Sequence, residues 1–317
     1  CPHRNAARPD FRTSLQTPFG GGPAVLASET MRYVVGYGAR QRGVHGVNLA
    51  ATLARSSGAT LDLVSVLPSA APTFHMYSPD HAFNAEVEDQ GREWLQDGLA
   101  HVPEDVHAET HLRHADSITQ GLLDAAADPD GGEAAMIVVG THHRVRAGKF
   151  RLGSLADALL HSSPVPVALA PADYKYHPGI TRLTCATGMQ PGAEDLLDNA
   201  IRLAAEWKVP LRLMSLVAVG ETGPADERRE WTELAERHAA TLVGRAAAAL
   251  PADCPVTSVV GHGKSLQKAV QGLDFTDSEV VLIGSSRLAQ PKRLFLGHSA
   301  SKIMRALPVP MIVWPRD

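Results

Sequence analysis

The sequence has little that could tie it together covalently: three cysteines, Cys1, Cys185 and Cys254, in 317 residues. They are too few and too scattered for a disulfide framework or a four-cysteine zinc site, so a reducing compartment is the expected setting. Long apolar runs are missing as well. The longest, 134-AAMIVVG and 308-PVPMIVW, are strand length, well short of the ~18–20 residues that span a bilayer. Positive charge is not in excess, since 30 Lys and Arg against 34 Asp and Glu leave a formal charge of −4. That excludes the broad basic surface of a general nucleic-acid binder. Residues 1–30 carry Arg4, Arg8 and Arg12 and a Gly-rich tract at 19–23, but no apolar h-region, so they do not read as a signal peptide. They read as a poorly ordered leader, with the natural start expected at Met31, where the first strand begins. What remains is an ordinary globular balance, 44% hydrophobic and 20% charged, long enough for two domains of roughly 150 residues.

The two domains are visible as a repeat. Residues 137–171, IVVGTHHRVRAGKFRLGSLADALLHSSPVPVALAP, align without a gap with residues 281–315, VLIGSSRLAQPKRLFLGHSASKIMRALPVPMIVWP. Gly140 falls on Gly284, Gly153 on Gly297, and Pro164-Val165-Pro166 on Pro308-Val309-Pro310. Each half opens alike, with 33-YVVGYG and then Val47, Ala50, Ala51 and Ala54 at helical spacing, and with 183-LTCATG and then Leu197, Ala200, Ile201 and Ala204. Second strands follow at 61-LDLVSVL and 211-LRLMSLVAV, helices near 84–100 and 226–250, and third strands near 107-HAETHLR and 255-PVTSVV. The fourth strands, 136–139 and 280–283, are continuously apolar, which fits parallel strands buried on both faces. Alternating strands and helices predict two α/β domains, each a doubly wound, five-stranded parallel sheet that binds ligands beyond the carboxyl ends of its strands. The boundary is expected near 172-ADYKYHPG, which Pro178 and Gly179 punctuate.

Gly140 is expected at the end of the fourth strand. A loop follows, and Gly153-Ser154 then opens a helix bearing Leu155, Ala156, Leu159 and Leu160. A helix N-terminus offers free N–H groups and about half a positive charge, so it favours anions. The loop 141–152 carries Arg144, Arg146, Lys149 and Arg151 and no acid; loop 285–296 carries Arg287, Lys292 and Arg293 and no acid. Two all-basic loops in an acidic chain point to a phosphate-bearing ligand, with solvated solubilising cations as the plain alternative.

These motifs resemble the universal stress protein family in its tandem form, over about residues 31–317. The resemblance implies the Rossmann-like or flavodoxin-like fold of the adenine nucleotide alpha hydrolase type, with domains at 31–172 and 178–317. It also implies ATP, with Mg²⁺, as ligand, and a cytoplasmic role in stress adaptation. The family's nucleotide binders carry Gly-x2-Gly-x9-Gly-Ser/Thr. Here the halves read Gly140-x2-His143-x9-Gly153-Ser154 and Gly284-x2-Arg287-x9-Gly297-His298, with the middle glycine replaced in both. The family's ribose-contacting Asp after the first strand is absent, its place taken by Tyr37-Gly38 and Thr187-Gly188. The expected contacts in half one are Tyr37, Gly38, Val66, Gly140, His143, Arg144, Gly153, Ser154 and Leu155, with Val66 against the base. In the weaker second half they are Thr187, Gly188, Leu216, Gly284, Arg287, Gly297, His298 and Ser299. No nucleophile–base pair is evident and Asp157 points away, so catalysis is not expected. The alternative is an interaction scaffold with degraded sites.

Other features have plain readings. The string 261-GHGKS lacks the first P-loop glycine, since position 258 is Ser. Asp116 or Ser117, and Ser265, are expected to cap helices. Eleven of the fifteen histidines precede residue 177, but neither His111 with His114 nor His142 with His143 converges on one ion, and no metal site is expected. His101, His107 and His161 are read as surface residues, Cys185 as a buried apolar residue, and Trp94, Trp207 and Trp231 as packing groups. Proline flanks the fifth strands, which marks them as edges. Residues 165–169 are expected to lie antiparallel against 311–313, joining the two halves.

Overall fold

A computed structural model describes residues 31–38, 41–69, 81–128, 132–141, 153–188, 193–218, 225–285, 294 and 297–315; the expected leader lies outside them. Half one runs β1 (Arg32–Gly36), α1 (Gln41–Ser57), β2 (Thr60–Pro68), α2 (His81–Leu99), β3 (Ala108–Ala115), α3 (Ile118–Ala126), β4 (Met136–Gly140), α4 (Ser154–Ser162) and β5 (Val167–Ala170). Half two repeats it as β6 (Arg182–Ala186), α5 (Ala193–Trp207), β7 (Leu211–Ala218), α6 (Ala225–Ala249), β8 (Val256–Gly263), α7 (Leu266–Gln271), β9 (Glu279–Gly284), α8 (His298–Met304) and β10 (Met311–Trp314).

The strands form one sheet of ten, in the order β3-β2-β1-β4-β5-β10-β9-β6-β7-β8. Each half is parallel throughout. β5 and β10 meet antiparallel, with Met311 opposite Leu169, Ile312 opposite Ala168 and Val313 opposite Val167. The central strands are buried on both faces: Val34, Val35, Ile137, Val138, Val281 and Leu282 are all fully enclosed. One apolar layer gathers α1, α2, α5 and α6 against the sheet, and the other gathers α3, α4, α7 and α8. Both layers run unbroken through the two halves. Fully burying one Leu- or Val-sized side chain contributes about 1.5–3 kcal/mol, so these layers are the main source of stability.

Buried charge pins the amino ends of the strands. Arg32 Nη1 donates to Asp62 Oδ2 at 2.6 Å, and its other nitrogens reach the carbonyls of Ala125 and Gly132. In half two Glu279 is fully enclosed, held by Arg182 at 2.5 Å, by Arg212 at 2.6 Å and by the Thr184 hydroxyl. The Thr276 amide also donates to it, at 3.2 Å. Enclosure of this kind is tolerable because nearly every lone pair and proton is used.

The segment between the halves is strapped along α1. The Asp173 amide donates to His45 Nε2 at 3.2 Å, and Asn48 Nδ2 donates to the Tyr174 carbonyl at 3.0 Å. The His177 amide donates to Thr52 Oγ1 at 3.1 Å, and the Ile180 amide to Ser56 Oγ at 2.8 Å. Positions 45, 48, 52 and 56 share one helical face, so this polar stripe of α1 satisfies a connector's backbone. Asp173 itself takes a positive φ of 63°.

Candidate functional site

Strand order reverses between β1 and β4 and again between β6 and β9, where a doubly wound sheet opens a crevice at its carboxyl edge. Tyr37-Gly38 and Gly140 flank the first crevice; Thr187-Gly188 and Gly284 flank the second. Val66 and Leu216 lie on the adjoining strands β2 and β7. The loops carrying His143, Arg144 and Arg287 lie outside the described residues, as does the side chain of His298.

Tyr37 offers backbone rather than side chain. Its amide donates to the Val64 carbonyl at 2.9 Å, and its buried ring fills the space beside Gly43 and Gly98. Burial, and then the nearby Asp97 charge, raise its pKa. Thr187 is buried too, its hydroxyl 3.3 Å from the Met214 carbonyl and 3.1 Å from Ser215 Oγ. Gly38 and Gly188 are exposed, and a side chain at Gly38 would meet open space.

Gly140 is expected from the sequence as a ligand contact, and packing supplies a reason of its own for a glycine there. A methyl group there would lie 2.9 Å from the Arg42 carbonyl carbon and 3.1 Å from the Gly46 nitrogen, with the Arg42 oxygen nearer still. The first turns of α1 rest on this strand end, and a methyl at Gly46 would reach the Gly140 nitrogen at 2.9 Å. Gly284 differs, since its methyl would make an ordinary 3.4 Å contact with Leu196. The α1 glycines were not singled out in the sequence, although glycine inside a helix costs about 1 kcal/mol against Ala and so signals a close approach. Val66 turns its side chain onto Gly121 of α3, and Leu216 reaches Gly261.

The helix ends separate into two kinds. α3 and α7 cap themselves: Ser117 Oγ accepts from the Gln120 amide at 3.1 Å and Ser265 Oγ from the Lys268 amide at 3.3 Å. α4 and α8, which follow the basic loops, begin at Gly153 and Gly297 with no side-chain cap. Ser154 and Ser299 are exposed, and Leu155 is half-buried. α4 has nine residues and α8 seven.

The remaining motifs are structural. Gly261 and Gly263 of the GHGKS string lie within β8, where added methyl groups would strike Ala269 and Lys268 of α7. Among the described residues no group of three or more His, Cys, Asp or Glu is placed to hold a metal ion. His111 faces Asp62 at 3.6 Å and His114 faces Glu88 at 3.6 Å, on opposite sides of the strand. Asp157 is exposed and lies 3.9 Å from His161, which is itself exposed. Cys185 is fully buried, which pushes its pKa up to about 12, and Cys254 is also buried. Trp207 packs in the core, Trp94 borders it, and Trp231 is 45% exposed. No described helix is long and apolar enough to cross a membrane.

The sequence profile of the universal stress protein family matches twice, at residues 30–171 and 179–315. The chain belongs to the universal stress protein family. A universal stress protein of Mycobacterium tuberculosis H37Rv is 30% identical over 299 residues, covering 90% of this chain and 100% of the relative. One from Mycobacterium bovis matches to the same extent. A universal stress protein structure from Archaeoglobus fulgidus superposes with a TM-score of 0.57 at 16% identity, covering 90% of this chain and 96% of its own. A putative universal stress protein from Pseudomonas aeruginosa does so at 0.53 and 16%, covering 91% and 94%. The universal stress protein fold thus accounts for both halves, as a tandem pair.

Proposed function

We propose that this tandem universal stress protein is a non-catalytic, cytoplasmic module that binds an adenine nucleotide, ATP foremost, at the carboxyl edge of half one. The observation that carries the reading is the uncapped start of α4. Its N-cap, Gly153, offers the first-turn amides no side-chain acceptor, whereas α3 and α7 carry Ser117 and Ser265 for that purpose. α4 follows β4 in the chain through a loop sequence with four cations and no acid. An anionic phosphate completes such an end. The Ser154 hydroxyl, on the exposed side of that turn, adds a donor. Gly153 lets the phosphate lie against the backbone, the Gly140 strand end forms the rear wall, and Val66 borders the base. Mg²⁺ would arrive coordinated by the phosphates rather than by a preformed cluster of protein carboxylates.

Half two is the weaker site. α8 is two residues shorter than α4, and a histidine stands in place of the hydroxyl. The scaffold alternative is favoured by Tyr37, whose ring is committed to the core where the family places a ribose-contacting Asp.

The test is release of ligand on denaturing freshly purified protein, quantified by chromatography and mass spectrometry, followed by titration of ATP and Mg²⁺ by calorimetry. About one nucleotide per chain, lost in Gly153→Val, is the expected result. Absence of both released nucleotide and binding heat establishes the scaffold reading instead.

A further inference from the structure

Among the described residues the most exposed large apolar side chain is Ile118, at 54%, ahead of Trp231 and Leu234 of α6. It is the first residue of α3, directly after the Ser117 cap. Its neighbours Asp116, Ser117 and Gln120 are polar and exposed, as first-turn positions facing water ordinarily are. Ile118 instead belongs to the face of α3 that meets the sheet. Gly121 and Leu122 stand three and four residues further on and share that face. Gly121 receives the side chain of Val66 of β2. Leu122 lies over Gly36, the last residue of β1, where an added methyl would meet its Cδ1 at 2.9 Å. Ile118 continues the face one turn, about 5.4 Å, toward the carboxyl edge. β1 has ended at that level, so the side chain overhangs the strand ends where the sheet order reverses. Exposed apolar groups placed in this way mark ligand-binding grooves.

We propose that Ile118 is a specificity-determining residue, an apolar shelf on which one face of the adenine ring rests. This inference depends on the nucleotide reading above and adds what separates a nucleotide from free polyphosphate at that edge. α3 packs against α4 in one layer, and each follows a strand of the parallel sheet, so both begin at its carboxyl edge. Packed helices lie about 8–10 Å apart. A ligand with its phosphates at the start of α4 therefore brings a ring, joined through ribose, within reach of α3. Covering Ile118 with that ring removes apolar surface from water on both partners. Half two does not repeat the arrangement: Leu266, which follows the Ser265 cap in the same way, is half-buried. The shelf belongs to half one, the half that also keeps Gly153-Ser154.

The test is isothermal titration calorimetry of the full chain with two probes, ATP and inorganic tripolyphosphate, each with Mg²⁺, on wild type, Ile118→Ala and Leu266→Ala. Wild type should bind ATP more tightly than tripolyphosphate. Ile118→Ala should weaken ATP about fourfold to fifteenfold, the equivalent of one or two buried methylene groups, and leave tripolyphosphate affinity and Tm unchanged. Position 118 is exposed, so the fold tolerates the truncation. Leu266→Ala should leave ATP affinity as it is. Equal weakening of both probes, or ATP affinity indifferent to Ile118→Ala, would overturn the shelf while nucleotide binding stands. Failure of wild type to bind either probe would overturn it together with the reading it rests on. Self-association of nucleotide-free wild type that is lost in Ile118→Ala, read by sedimentation equilibrium, would assign the side chain to an interface between copies and overturn it as well.

Discussion

Gly140 and Gly284 occupy equivalent places in the repeat, yet the structure assigns them unequal duties, and replacing each by alanine separates packing from ligand contact. A methyl group at Gly140 falls 2.9 Å from a backbone carbonyl carbon and 3.1 Å from a backbone nitrogen of α1. Neither atom belongs to a flexible side chain, so α1 must shift away from β4 as a body. Overpacking of this kind costs about 1–3 kcal/mol, and each kcal/mol lowers the Tm of a chain this size by roughly 2–4 °C. The expected loss for Gly140→Ala is therefore roughly 2–12 °C. At Gly284 the methyl finds a 3.4 Å contact with Leu196. The glycine does not occupy a positive φ, so restricting the unfolded chain should stabilise by about 0.4–1 kcal/mol. Differential scanning calorimetry of both variants without nucleotide reads the difference directly. Equal Tm shifts, or a neutral Gly140→Ala, would refute the claim that α1 rests on the β4 end. It would also return Gly140 to the status of a ligand-dictated glycine.

Four further outcomes are expected. Glu279→Ala should destabilise by about 3–5 kcal/mol in urea, because it strands Arg182 and Arg212 in an enclosed site. Ser56→Ala should cost about 1–3 kcal/mol by leaving the Ile180 amide unpaired, with amide hydrogen exchange rising first at 173–181. In alkaline titration followed near 295 nm, Tyr33 and Tyr174 should ionise only near pH 12, because burial raises both from 10 to about 12. The neutral phenol is favoured in the fold, so their stabilisation is intact below pH 10 and lost as pH rises toward 12; five tyrosines titrating together near 10 would contradict it. In a Cys1→Ser background, native protein should resist thiol reagents at neutral pH and label at Cys185 and Cys254 only after denaturation, since both are buried.

The repeat, its helices and strands were legible because duplication and apolar periodicity are properties of the sequence itself. The third strands run two and three residues further than the sequence suggests, to Ala115 and Gly263. There Gly263 admits α7, and the same glycine imitates a phosphate loop when read alone. The capping roles of Ser117 and Ser265 followed from their place before a helical run. Contacts between elements distant in sequence were not legible. Nothing near Gly140 announces that Arg42 presses on it, and nothing in Thr52 or Ser56 shows that residues more than 120 positions later bind there. Tyr37 was expected as a contact from its position in the motif; that its ring packs beside Gly43 and Gly98 depends on a rotamer the sequence does not state.

The antiparallel seam between β5 and β10 bears on how such a protein can change over generations. In a dimer of identical chains every substitution is made twice, so a defect at one ligand edge is a defect at both. Here the partners are fused and share both apolar layers, so each half is held in place by the other whatever happens at its own edge. Under the proposed function, a copy with Gly297-His298 in place of Gly153-Ser154 could lose its ligand and still serve as half of the sheet.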